Sequence, residues 1–142
     1  QIRMNITTDN AVAEVKSSLS TDLVGNNNDI VYTSKLTGTA GDAITVAYID
    51  PSENSQSLSV EVTGTDITVN LATDGGGLIT STGDEIKAAV AALPAAHALV
   101  GTADKAGNDG SGVVTAMVKT ALSGGVNAVA ATLPKLWVIG VK

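Results

Sequence analysis

The chain contains no phenylalanine, one tryptophan and two tyrosines, so its core must be built almost wholly from Val, Ile, Leu and Ala. Small β-branched side chains suit a pleated, half-buried surface and lose rotamer freedom in helices. Such a chain is expected to stack thin aliphatic layers dominated by strands. It also holds few of the aromatic anchors that dominate tight binding sites. With 142 residues it is one domain by length. A domain of that size hides about 68–70% of its unfolded surface. An apolar fraction of 44% sets it apart from disordered chains, which lack the hydrophobicity to offset ordering.

The remaining composition narrows the partners. Fifteen glycines and a charged fraction of 15% leave a surface largely of Thr, Ser, Asn and Gly, as suits a protein that sits against copies of itself. A net charge of −6 and scattered basic residues argue against nucleic acid, which needs clustered Lys and Arg. Without cysteine there is no disulfide, thiolate nucleophile or cysteine–zinc site. No stretch approaches the roughly 20 apolar residues of a membrane helix. Asn5, Thr7, Thr8, Asp9 and Asn10 are polar where a signal peptide would be apolar. The expectation is a soluble protein with no membrane partner.

Three parts emerge along the chain. Residues 1–28 read as a polar N-terminal arm ending in the turn signal Gly25-Asn26-Asn27-Asn28. Within it, Val12, Val15 and Leu19 share a helical face after the caps Asp9 and Asn10, which predicts a short helix. Residues 29–125 read as the folded body. Strands are expected over 29–36 and 43–49, separated by Gly38-Thr39-Ala40-Gly41-Asp42. Leu58, Val60 and Val62 alternate strictly, as do Ile67, Val69 and Leu71. With Gly64-Thr65-Asp66 between them, they predict a β-hairpin. Ser81 with Asp84 and Thr82 with Glu85 form overlapping capping boxes ahead of Ile86, Ala89, Val90 and Leu93, which recur at helical spacing. Pro94 should stop or restart that helix. After Gly107-Asn108-Asp109-Gly110-Ser111-Gly112, residues 113–122 read as a returning strand, and Gly124-Gly125 closes the body.

Residues 126–142 form a C-terminal apolar arm or a final strand. Leu133, Leu136, Trp137, Val138, Ile139 and Val141 are its apolar residues, and Lys135 and Lys142 accompany them. These six are the candidate contacts between subunits, by strand addition to a neighbour's sheet. The bland alternative is a last strand of the domain's own sheet. The fold class expected is α+β: an antiparallel, sandwich-like body of about five or six strands with one main helix, flanked by the two arms.

The central stretch resembles a small domain that recurs in virion proteins of tailed bacteriophages. The resemblance is carried by residues 38–46 with Asp50-Pro51, by 58–74, by the capped helix 81–93 and by 107–114. Similar sequences occur among head-decoration, tail-sheath and tail-tube components. One departure is Asp42, where similar sequences often carry Asn. The resemblance implies a structural role in the virion, on the outer surface of the capsid or in the tail, and brings no catalytic residues. A sheath subunit needs further large domains, so capsid decoration (cement) is the first expectation. The implied partners are the major capsid protein or other virion subunits, within a homo-oligomer, and the protein would be soluble in the host cytoplasm before assembly. A tail-tube, sheath-related or head–tail connector component comes next, and a cell-surface or carbohydrate-binding module of a fibre or adhesin is the rival class.

No chemistry stands out beside this. His97 is the sole histidine, and no nucleophile elbow surrounds any serine. Asp104, Asn108, Asp109 and Ser111 offer oxygen ligands, but twelve-residue calcium loops end in Glu and that position is Thr115. Gly75-Gly76-Gly77 precedes a helix whose first turn holds Asp84 and Glu85, and those carboxylates would repel phosphate. Asp50 with Glu53, or Asp84 with Glu85, lack the aromatic platforms of sugar-cleaving sites. No catalytic residue, cofactor or metal is expected, and the chain reads as non-enzymatic.

Overall fold

The computed structural model of the protein describes residues 10–132. Its strands are β1 (Ser18–Ser20), β2 (Ile30–Ser34), β3 (Thr45–Ile49), β4 (Ser59–Thr63), β5 (Asp66–Asn70), β6 (Val100–Asp104) and β7 (Met117–Ala121). A 3₁₀ segment occupies Gly38–Ala43, and two helices follow β5, α1 (Gly83–Ala92) and α2 (Pro94–Leu99). This is the expected α+β class with one main helix, its seven described strands divided between two sheets.

The first sheet has the order β1-β2-β6 and is antiparallel throughout. The second has the order β4-β5-β3-β7. β4 and β5 form the predicted hairpin, with Thr63 opposite Asp66 across a two-residue loop. Gly64 opens that loop at φ 63°, a left-handed conformation that glycine adopts without steric cost. β5 then lies parallel to β3, and β7 pairs antiparallel on β3's other side. The more apolar arm of the hairpin takes the inner position. Ile67, Val69 and Leu71 are fully buried, whereas Val60 and Val62 on the edge strand are half-buried.

One aliphatic core serves both sheets. Ile30 and Tyr32 come from β2, Val46 and Tyr48 from β3, and Ile86 and Val90 from α1. The two tyrosines are the largest fully buried side chains, and their hydroxyls meet at 2.7 Å between the sheets. Both helices lie against β6 of one sheet and β4 of the other, closing that side of the core. α1 begins as its sequence dictates: Glu85 N–H donates to Thr82 Oγ1 at 3.3 Å and Thr82 N–H to Glu85 Oε2 at 2.9 Å. Pro94 restarts the chain as the first residue of α2.

Three elements depart from the reading of the sequence. The helix expected around Val12, Val15 and Leu19 is absent: Val12 and Val15 are extended and paired with Val129 and Val126. Two helical turns are marginal alone, and β-branched residues gain more by pairing. β1 and β6 carry no clear alternation, yet they pair with β2 on either side of it. Asn26–Asn28 is no loose linker, because Gly112 N–H donates to Asn27 O at 2.9 Å and the Asn28 amide donates to Val24 O and Val113 O.

The tyrosine pair yields a stability prediction. Tyr48→Phe should leave the Tyr32 hydroxyl buried without a partner and cost about 1–3 kcal/mol in urea unfolding. Tyr32→Phe should cost a similar amount, and the double variant less than the two single losses together. Burial pushes both phenols well above their ordinary 10.0, so the folded chain holds these protons after the unfolded chain has released them. Stability from this source should be complete below about pH 10 and fall as pH rises further, and the double Phe variant should lose that alkaline slope.

Candidate docking surface

The described ends of the chain leave the body together. Val12, Val15 and Ser18 pair antiparallel with Val129, Val126 and Ser123, each pair exchanging two backbone hydrogen bonds of 2.9–3.0 Å. The pairs recur every third residue rather than every second, so the bonding departs from a regular antiparallel ladder. Side chains of a directly opposed pair share a face, and two of these three pairs are valine with valine. Val12, Val15, Val126 and Val129 are each between 38% and 55% exposed. From Asn10 to Lys16 and from Ala128 to Thr132 every residue is exposed.

The 3₁₀ segment roots this ribbon in the body. Asp42 Oδ1 accepts from Ser17 Oγ at 2.7 Å and from Gly125 N–H at 3.0 Å, so one carboxylate holds both arms. The Ser17 hydroxyl and the Gly125 amide hold the Asp42 carboxyl below its ordinary range. Asn127 Oδ1 accepts from Thr39 N–H at 3.0 Å. The contact is too close for side chains: a Cβ on Gly125 would lie 2.4 Å from Gly38 O, and one on Gly41 2.5 Å from Ser34 Oγ. The Gly38–Asp42 stretch, read from sequence as a strand break, is the clasp of both arms. An alignment of period-three residues in the two arms would have been the signal for it.

A second exposed apolar feature lies at the opposite end of β7. Tyr48, Ile49, Asp50, Ala116, Met117 and Val118 line an open depression of roughly 330 Å³. β7 is the last strand of its sheet, and Val118 is 83% exposed there. Thr120 Oγ1 donates to Val118 O at 2.8 Å along the same edge.

Several of the groups considered for chemistry are engaged in turns, caps and ion pairs. His97 is exposed on α2, where its carbonyl accepts from Lys35 Nζ at 2.5 Å. Asp104 pairs with Lys87, which also reaches Asp84 at 2.8 Å. Asn108 Oδ1 accepts from Asp29 N–H, and Asp109 Oδ1 accepts from the Ser111 hydroxyl and amide. The amides beside Gly75-Gly76-Gly77 serve their own turn: Leu78 N–H and Gly76 N–H donate to Asp74 and hold its carboxyl below its ordinary range. Asp50 caps Ser52 N–H, and Glu85 caps Thr82. Among the described residues no three acidic, His or Cys side chains gather as a metal site, and no helix is long and apolar enough to cross a membrane.

Leu133, Leu136, Trp137, Val138, Ile139 and Val141 lie outside the described residues. Comparison with models of protein families, with curated proteins and with solved structures returned no match.

The clasp predicts that the arms can be released without unfolding the body. Asp42→Ala should speed amide hydrogen exchange at Val12, Val15, Val126 and Val129 by about tenfold or more, leaving β3 and β5 protected. Asp42→Asn keeps the accepting oxygen and should leave exchange close to wild type at pH 7. Because the folded carboxyl is held low, its contribution should be present at neutral pH and lost as pH falls through the folded value. Asp42→Asn should not show that acid release.

Proposed function

We propose that the protein is a non-enzymatic structural component of a tailed-phage virion, and that it decorates the capsid as a cement protein. The observation that carries this reading is the clasped ribbon. A closed aliphatic body projects a strip of exposed valines on two arms, rooted by Asp42, Ser17 and Gly125. That arrangement suits adhesion: the body lies on a shell of major capsid subunits while the arms reach neighbours. Each shell presents many equivalent sites, so weak single contacts add up through effective concentration. The resemblance of residues 29–125 to virion domains supports the same reading.

A carbohydrate-binding module of a fibre or adhesin fits less well. Its sugar platforms would be exposed aromatic rings, and Tyr32 and Tyr48 are buried against each other. The tail-tube or connector reading shares the ribbon and differs in what the ribbon meets.

Co-sedimentation of the purified chain with expanded, undecorated phage heads tests the assignment. Saturable binding at a fixed number of copies per capsid subunit is the expected result. No binding to heads, with self-assembly of the free chain into rings or tubes, would overturn decoration and move the protein to the tail.

A further inference from the structure

We propose that neighbouring copies exchange C-terminal arms, so that residues 126–132 of one copy pair with Val12 and Val15 of the next. The inference rests on the reading of the protein as an assembling subunit and names the contact through which copies join.

The partner is defined by the pairing that each copy already makes. Val12 exchanges two backbone hydrogen bonds with Val129, and Val15 two with Val126, all of 2.9–3.0 Å. A second copy carries the same residues at the same spacing, so its arm forms the same four bonds. At the root of the arm, Gly125 N–H donates to Asp42 and Asn127 Oδ1 accepts from Thr39 N–H. The same two residues of a second copy meet the same groups there. Exchange of an identical element therefore re-forms every one of these contacts, which makes it a low-cost route from single copies to an assembly.

The arms are paired to each other and are not packed into the core. Every residue from Asn10 to Lys16 and from Val126 to Thr132 is exposed, so opening the ribbon uncovers no buried side chain. A two-stranded pairing of this kind is marginal by itself in water. Gly124 supplies the joint. It stands between Ser123, bonded to Ser18, and Gly125, bonded to Asp42. Its φ is 83°, and a Cβ there would meet nothing within 4 Å. A glycine in open space absorbs the change of direction that carries the arm to a neighbour.

Charge permits the crossing. Residues 126–132 hold no charged side chain, in a chain of net charge −6. The arm thus reaches a second acidic copy without adding to the repulsion between them. Closed and exchanged forms hold the same bonds, so local concentration decides between them, and a shell that keeps copies side by side raises it. Reciprocal exchange closes a pair, whereas exchange passed from copy to copy runs along a lattice.

The absence of cysteine permits a direct test in the whole chain. Val15 and Val126 are directly opposed, at a spacing that a disulfide spans. Single variants V15C and V126C are mixed and oxidised, with the exposed helix position A91C as the reference partner for V126C. At about 1 mM the expected result is a 15–126 disulfide between copies, about tenfold more abundant than the 91–126 product. The double variant V15C/V126C should close within single copies at about 1 μM and give covalent oligomers at about 1 mM. Closure within single copies at both concentrations would overturn the proposal, as would equal yields at positions 15 and 91. Both valines are exposed, so the substitutions leave the core untouched. Head binding is scored separately: exchange without head binding would refute decoration alone, and head binding without the 15–126 product between copies would refute exchange alone.

Discussion

Two hydroxyls meeting between two sheets set the terms for the rest of this fold. With no phenylalanine, the interior depends on Tyr32 and Tyr48 for bulk, and each brings a polar atom into an aliphatic layer. A buried hydroxyl without a partner would cost more than its hydrogen bond returns. The two residues resolve this together, one from β2 and one from β3, at 2.7 Å. That contact ties the spacing of one sheet to the register of the other. Around it, Ile30, Val46 and Val69 pack as thin aliphatic layers, and α1 with α2 covers the flank between β4 and β6. The remaining flank is bridged where Ser18 of β1 meets Ser123 beyond β7, beside the Asp42 clasp.

The glycines are explained by close approach as much as by turns. Gly125 sits where a Cβ would meet Gly38 O, and Gly112 where one would lie 2.0 Å from Asn26 O. At each place two chain segments touch backbone to backbone, and a small hydrogen-bonded side chain completes the join, Asp42 in the first case and Asn28 in the second. Loops that look like flexible spacers in the sequence are therefore seams of the body. The same economy of side chains leaves a surface rich in small polar residues, with the four ribbon valines among its exposed large apolar side chains.

Where the sequence signal was local, it translated directly. The alternation around Gly64 became β4 and β5, Thr82 and Glu85 became a capping box, and Pro94 divided two helices. Val12 and Val15 show how a local signal misleads. A spacing of three residues fits one face of a helix and equally a ribbon bonded at every third residue, and only the partner arm distinguishes them. β6 was hidden for a related reason. Val100–Asp104 contains a glycine and no alternating large apolar residues, and it becomes a strand because β2 offers its edge in register. Among the groups weighed for chemistry, Asp104 and Asn108 look like neighbouring ligands in the sequence, but the fold gives one to Lys87 and the other to Asp29.

By itself, then, the sequence determined the material of the core, the hairpin, the capped helix and the absence of cysteine chemistry, because composition, alternation and capping act over a few residues. Tertiary structure alone decided that β5 lies parallel to β3, that Tyr32 meets Tyr48, and that Asp42 clasps both arms. Those outcomes depend on residues 16 to 83 positions apart meeting in space. No short-range pattern encodes such a meeting, since what selects it is the joint burial of apolar faces and the need of each buried polar atom for a partner.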